Sequence, residues 1–315
     1  MSRKMGKATR EAFGMALAKL GEARHDIVVV DADVHNSTRT DFFEKKFPDR
    51  FFNVGIAESN MVGVASGLAA SGKQAWLSSF AVFVMCNGYD QLRMSVAFPN
   101  MDVKVVGTHA GISIGEDGPS QMGIEDVSLA CSLPNFTVVV PADEISTDKA
   151  VQALGAINTP AFLRAGRIAV PLLYESGCDF QLGRAIKLRE GKQVTIIANG
   201  LMVAAALDAA DMLAADKIEA RVLDMHTVKP CDDAAVLAAA KETGRIVVAE
   251  EHLAHGGLGS VVAMSAARQL PVPMRFVNLK DTFAESGTPE GLLDKYGLTA
   301  AAVAKSAREL VSAKN

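Results

Sequence analysis

The chain has 315 residues, of which 49% are hydrophobic, and a formal net charge of -4. That length suits two domains, each burying its own core. The near balance of charge, with no Lys/Arg run, argues against a nucleic-acid surface or a polybasic membrane patch.

In chain order, short apolar β-branched runs alternate with helical periods. The segment 8-ATREAFGMALAKLG-21 reads as a helix and 27-IVVVD-31 as a strand. The Ala/Gly-rich helix 57-AESNMVGVASGLAASG-72, the strand 74-QAWLS-78 and a long helical segment near 80–97 follow. Within it, 80-FAVFVMC-86 is the longest apolar run and is too short to span a bilayer. Next come strand 103-VKVVGT-108, a glycine-rich loop, strand 137-TVVV-140, a helix over 143–154 and strand 160-PAFLR-164. The polar stretch 174-YESGCDFQLG-183 breaks the rhythm and sets the expected boundary, with domains over 1–178 and 179–315. The alternation then restarts: strand 194-VTIIANG-200, helix 202–216, strand 220-ARVLD-224, helix 232–241, strand 245-RIVVAE-250, and a last helix, 299-TAAAVAKSARELV-311. Continuous apolar strands between helices predict an α/β fold of two domains, each a mainly parallel sheet covered by helices. The first residues, MSRKMGKATREAFG, lack an apolar signal core. Cys86, Cys131, Cys178 and Cys231 are widely spaced with no CxxC pair. Both features predict a cytoplasmic protein with reduced thiols.

Ligands of open α/β sheets sit beyond the carboxyl ends of the strands, so the loops after strands are where chemistry is sought. Glu58 opens a helix, as a dipole-favoured first-turn acid or as a functional carboxylate. Phe80 and Phe83, three apart, share a helix face, as core or as an apolar slot for a planar ring. The loop 107-GTHAGISIGEDGPSQMGIEDV-127 holds five glycines, which permit positive φ and close approach of a ligand to backbone N–H groups. In it His109 suits an anion and Asp117 a hydroxyl. Arg164 and Arg167, at a strand end, suit a phosphate or carboxylate, or are surface arginines. His252 and His255 in 250-EEHLAHGGLGS-260 have no third ligand nearby, which favours a structural or subunit-contact role over metal.

Four stretches in order, 55-GIAESNMVGVASGLA-69, 80-FAVF-83, 107-GTHAGISIGEDG-118 and 133-LPNFTVVVPADE-144, resemble the C-terminal two-thirds of transketolase, above all the stand-alone C-terminal sections of split transketolases. The resemblance covers nearly the whole chain. It implies a thiamine-diphosphate pyrimidine-binding domain followed by the transketolase C-terminal domain. It implies transfer of a two-carbon ketol unit from a ketose phosphate to an aldose phosphate, with the cofactor storing the carbanion. Carried over, Glu58 is the catalytic glutamate that hydrogen-bonds N1′ of the aminopyrimidine. Phe80 and Phe83 wall the pyrimidine, and Asp33 is a cofactor-side aspartate. Ser37, His109 and Arg167 contact the sugar phosphate, and Asp117 reads a substrate hydroxyl.

Two departures stand out. Transketolases usually read EDGPTHQ where this chain reads 116-EDGPSQM-122, so Gln121 occupies the histidine's place near the substrate. Glutamine donates and accepts hydrogen bonds but shuttles no proton near neutral pH, which points to an unusual ketose or aldose phosphate. Related chains often carry an Arg shortly after the FxxF pair, where this one has Cys86-Asn87-Gly88. The family's GDG, which binds the diphosphate and its Mg2+ or Ca2+, is absent from the sequence. The resemblance therefore implies a partner, the N-terminal-section subunit, within a heterotetramer that contains a homodimer of this chain. Two other readings share parts of the pattern. The β subunit of a 2-oxo-acid dehydrogenase has the GIAE glutamate and the two-domain plan but normally lacks GISIGEDGP; deoxyxylulose phosphate synthase is similar in this half but is normally a single long chain. A non-catalytic subunit of the same fold is favoured by Gln121 and opposed by Glu58, Phe80 and Phe83.

Overall fold

The structure is a computed structural model and describes residues 3–313. Among the described residues fourteen strands form three sheets: β1 Met5–Ala8, β2 Ile27–Asp31, β3 Phe51–Asn53, β4 Gln74–Phe80, β5 Val103–Thr108, β6 Thr137–Val139, β7 Ala161–Arg164, β8 Ala169–Pro171, β9 Ile186–Arg189, β10 Val194–Ala198, β11 Ala220–Asp224, β12 Thr227–Lys229, β13 Ile246–Ala249 and β14 Met274–Val277. The first sheet runs β12-β6-β7-β5-β4-β2-β3 and the second β14-β13-β10-β11-β9, while β1 and β8 pair as a two-stranded ribbon. All neighbours in the first sheet are parallel except β12, and all in the second except β9.

The apolar strands are continuous because both faces of the sheet are covered. Val28, Val30, Leu77 and Val105 enter one core, while Ile27, Val29, Trp76 and Val106 enter the core on the opposite face. The first of these cores also takes in Ile197, Leu223, Met225 and Val248, so one apolar mass joins the two large sheets. Strand β12 lies beyond residue 178 in the chain yet pairs with β6 of the first sheet, Thr227 opposite Val139.

The long helix expected near 80–97 is broken. It forms Ala81–Asn87, a short turn Tyr89–Gln91, and a π-helical stretch Leu92–Ala97. Gly88 stands at the break, where a Cβ would meet the Val84 carbonyl at 2.7 Å. The glycines of the 107–127 loop also divide by purpose. Gly111, Gly115 and Gly118 have positive φ. Gly107 and Gly123 instead make room for the earlier helix Ala81–Asn87, since a Cβ at either would press on Ala81 at 2.8–2.9 Å.

Candidate active site

The first sheet brings its loops together at the carboxyl ends of β2, β4, β5 and β7, where ligands of parallel sheets bind. Glu58 opens helix Glu58–Ala70 and is 7% exposed. Its Oε1 accepts a hydrogen bond from Ser79 Oγ at 3.1 Å, and no partner for Oε2 is found among the described residues. Ser79 precedes Phe80, whose ring stacks on Phe83 with centroids 5.7 Å apart and planes 12° apart. The other neighbour of Phe80 is His109, with ring centroids 3.8 Å apart.

His109 follows β5 with a φ of 54°, and Asp33 follows β2 with a φ of 64°. Such left-handed, non-glycine backbone costs about 1–3 kcal/mol and collects at functional sites. An arginine only donates, so Arg10 Nη1, 2.7 Å from His109 Nε2, makes that nitrogen the acceptor. The proton is then on Nδ1, which donates to Thr108 Oγ1 at 2.9 Å. Thr108 in turn donates to the Ser79 carbonyl at 3.3 Å. Burial first, and then the charges of Arg10 and Arg167, push the His109 pKa down to about 3, so the ring is neutral. Arg10 Nη1 also donates to the Ser37 carbonyl at 2.8 Å. One hydrogen-bonded path therefore runs from Glu58 through Ser79, Thr108, His109 and Arg10 to Ser37.

Arg10 was not singled out in the sequence, where it reads as one more polar position on a helix; neither was Ser79. Arg10 has no ion-pair partner among the described residues, and its pKa is lowered by burial and by the nearby Arg39 and Arg167 charges. That surplus of positive charge suits a dianionic group. Arg167 donates to the Ile114 carbonyl at 2.8 Å and lies 3.4 Å from Asp117. Asp33 accepts from Asn53 Nδ2 at 2.7 Å. The loop carrying Asp33 and Ser37 is held from beneath by Asp31, which accepts from Val34 N, Thr38 Oγ1 and Thr40 Oγ1 at 2.7–2.8 Å.

Three expected positions stand apart. Gln121 Oε1 accepts only from its neighbour Ser120, at 2.6 Å, and makes no hydrogen bond to the other site residues. Arg164 is neither on the surface nor free for a phosphate: it is 7% exposed, pairs with Asp126 at 2.8 Å and donates to the carbonyls of Gly123 and Glu251. Desolvation is tolerable there because the carboxylate and two carbonyls replace water. His252 accepts from Ser128 N at 3.3 Å and is buried, a structural contact.

The chain as a whole has counterparts among known proteins. The family model described as "Transketolase, pyrimidine binding domain" matches residues 5–171, and that described as "Transketolase, C-terminal domain" matches 183–303. The chain is 37% identical over 306 residues to the "Putative transketolase C-terminal section" of Methanocaldococcus jannaschii, covering 96% of each. It is 40% identical to the 6-deoxy-6-sulfo-D-fructose transketolase subunit SqwH of a Clostridium species, covering 97% of this chain and 95% of that one. A solved split-gene transketolase, described as an inactive β4 tetramer, superposes with a TM-score of 0.90 at 44% identity, over 98% of this chain and all of the other. Of the transketolases of human and mouse the chain spans 49% of the length. No helix among the described residues is long and apolar enough to cross a membrane.

Proposed function

Because the chain belongs to the transketolase family, we propose that it is one subunit of a two-chain enzyme that transfers a two-carbon ketol unit between sugar phosphates. The observation that carries this reading is the hydrogen-bonded path from Glu58 to Ser37, which joins a buried carboxylate, an aromatic stack and a cluster of arginines in one place. We divide the chain at 178/179, which is supported by the unmatched stretch between the two family models.

The residues present fit the aminopyrimidine of thiamine diphosphate. Glu58 is a buried residue whose Oε2 has no partner among the described residues, and the serine that holds its Oε1 precedes the near-parallel rings of Phe80 and Phe83. The aromatic pair would stack on the pyrimidine ring, and Glu58 Oε2 would hold its ring nitrogen. When bound, thiamine diphosphate supplies the electron sink for breaking a ketose carbon–carbon bond. Glu58 holds and moves the proton at that ring nitrogen, while Ser79 fixes the carboxylate's orientation. Arg10 and Arg167 bind the sugar's phosphate, and Asp117 accepts from a hydroxyl. Asp33 faces the cofactor side. Neutral His109 packs on Phe80 and closes the site against water. Arg10 supplies the cation missing after the FxxF pair, where Cys86 Sγ instead lies 3.8 Å from Glu125.

The diphosphate and its Mg2+ or Ca2+ belong to an N-terminal-section partner, since no GDG occurs in this sequence. A surface suited to another chain lies beside the site. Gly63 and Gly67 on helix Glu58–Ala70 have no atom within 4 Å of a would-be Cβ, and Ile56 and Phe98 are 79% and 81% exposed. Side chains that large and that exposed are available for burial by a second chain. The split-gene relative's inactive β4 state supports a chain that self-associates yet needs its partner for activity. Gln121 removes a proton carrier, and the sulfosugar transketolase subunit among the relatives supports a donor other than the usual pentose phosphate.

Replacing Glu58 tests the reading. Glu58→Gln in the reconstituted complex should cut turnover by roughly 100-fold or more, the usual range for a lost general acid–base, with assembly unchanged by sedimentation. Near-normal turnover would refute the assignment.

A further inference from the structure

The glycine loop belongs to the first half of the chain, yet much of its support comes from the second. Ile112, Ile114 and Met122 are buried in the core of the five-stranded sheet. Burying such side chains contributes roughly 1.5–3 kcal/mol each. The loop's backbone is gripped as well. Ser113 N donates to Glu251 Oε1 at 2.6 Å, and Leu253 N to the Ile124 carbonyl at 3.0 Å. A Cβ on Gly111 would lie 2.1 Å from the Glu251 carboxyl carbon, so only glycine admits this approach.

Glu251 follows β13 and adjoins Glu250. The two carboxylates turn in different directions. Glu250 accepts from Leu258 N and Gly259 N, both at 2.7 Å, and caps helix Leu258–Gln269 of its own domain. Glu251 reaches across to the loop and is 5% exposed. Its Oε2 lies 3.9 Å from Arg164 Nη1. Between Ser113, Arg164, Glu251 and Thr9 lies a cavity of about 30 Å3, room for one water, and the buried Ser113 hydroxyl has no hydrogen-bond partner among the described residues. Desolvation pushes the Glu251 pKa up to about 6 in spite of Arg164 and Ser113. Arg164 already has Asp126 as its ion-pair partner, so its charge does not need Glu251. An ion buried at such cost is poor evidence of stability. What the carboxylate holds is the loop.

We propose that Glu251 is a positioning residue for the sugar site: it fixes the backbone of Gly111–Ser113, and through it His109 and Asp117, so that the second domain sets the geometry of substrate binding. The sugar's place on this loop rests on the function proposed above. The test compares Glu251→Ala and Glu251→Gln in the reconstituted complex. Hydrogen exchange reads the loop without reference to activity. In Glu251→Ala, exchange over 107–124 should quicken while helix 58–70 keeps its protection. The KM for the ketose phosphate should rise roughly tenfold, the scale of one lost hydrogen bond to a charged group, with cofactor affinity unchanged. Glu251→Gln retains an acceptor for Ser113 N and should recover most of both effects. Unchanged loop exchange in Glu251→Ala would overturn the proposal, as would faster exchange across the whole second domain that Glu251→Gln fails to rescue. If the wild-type complex transfers no ketol unit, the proposed reaction fails, and the exchange result still decides whether Glu251 clamps the loop.

Discussion

His109 is held on three sides, by the Phe80 ring, by Arg10 and by Thr108. Its low pKa has burial as first cause and Arg10 as second. Arg10→Ala should therefore raise the His109 pKa above about 3 without restoring the ordinary value near 6.5, because burial remains. An NMR titration of the ring would show it. The same variant should raise the KM for a sugar phosphate by roughly tenfold or more, as expected for a charge-assisted hydrogen bond to an anion. An unchanged KM would remove Arg10 from the phosphate pocket. Glu58, Phe80 and Phe83 stood out in the sequence because helix start and i, i+3 spacing are local. Arg10 and Ser79 did not, because what gives them meaning is contact with residues 99 and 21 positions away. Arg164 misled for the same reason: a strand-end arginine looks exposed until Asp126 and Glu251 are folded over it.

Helix Thr9–Ala23 carries both Arg10 and Gly14, and Gly14 is where the loop bearing Asp33 and Ser37 approaches it. A Cβ there would lie 2.1 Å from the Arg39 carbonyl oxygen. Gly14→Ala should cost about 1–3 kcal/mol, as overpacking does, and should weaken sugar-phosphate binding by moving Ser37 from Arg10; thermal unfolding and KM would report both. Helix Glu58–Ala70 offers the opposite case. Gly67 faces open space in the single chain, so Gly67→Leu should leave the fold and melting temperature nearly unchanged while lowering the molecular mass seen in sedimentation. The parallel core strands β2, β4, β5, β10, β11 and β13 were legible because short, mainly apolar runs recur between helical periods and must be covered on both faces. The strands β1, β3, β8, β9, β12 and β14 were not, since three or four residues in short pairings leave no periodic signal. The anchoring of Ile112 and Ile114 in the second sheet's core was equally hidden, because nothing within 107–127 encodes a partner beyond residue 190.

The two halves meet in a buried polar seam as well as an apolar one. Asp224, at the carboxyl end of β11, accepts from Tyr174 OH at 2.6 Å, and burial pushes its pKa up to about 7 against the pull of that hydrogen bond, with Asp143 adding to the rise. A carboxyl whose folded pKa lies above its unfolded value of 3.8 binds its proton more tightly when folded. Its contribution is complete at low pH and is lost as pH rises from about 4 through 7, by on the order of a few kcal/mol. Asp224→Asn should remove that fall, so the stability advantage of wild type over variant should shrink across this range in denaturant unfolding followed against pH. A difference that grows with pH would contradict the assignment. At this scale the two-domain plan was readable from the break at 174–183, whereas the loan of β12 to the first sheet was not, since it depends on a pairing between Thr227 and Val139. The central claim, that this chain is a subunit active in ketol transfer only with its partner, is tested most directly by mixing it with an N-terminal-section chain, thiamine diphosphate and Mg2+. Ketol transfer from a panel of ketose phosphates is then followed, with each chain alone as control. The account predicts activity in the mixture and none from either chain alone; a mixture that forms a stable, cofactor-loaded complex yet transfers nothing from any donor would contradict it.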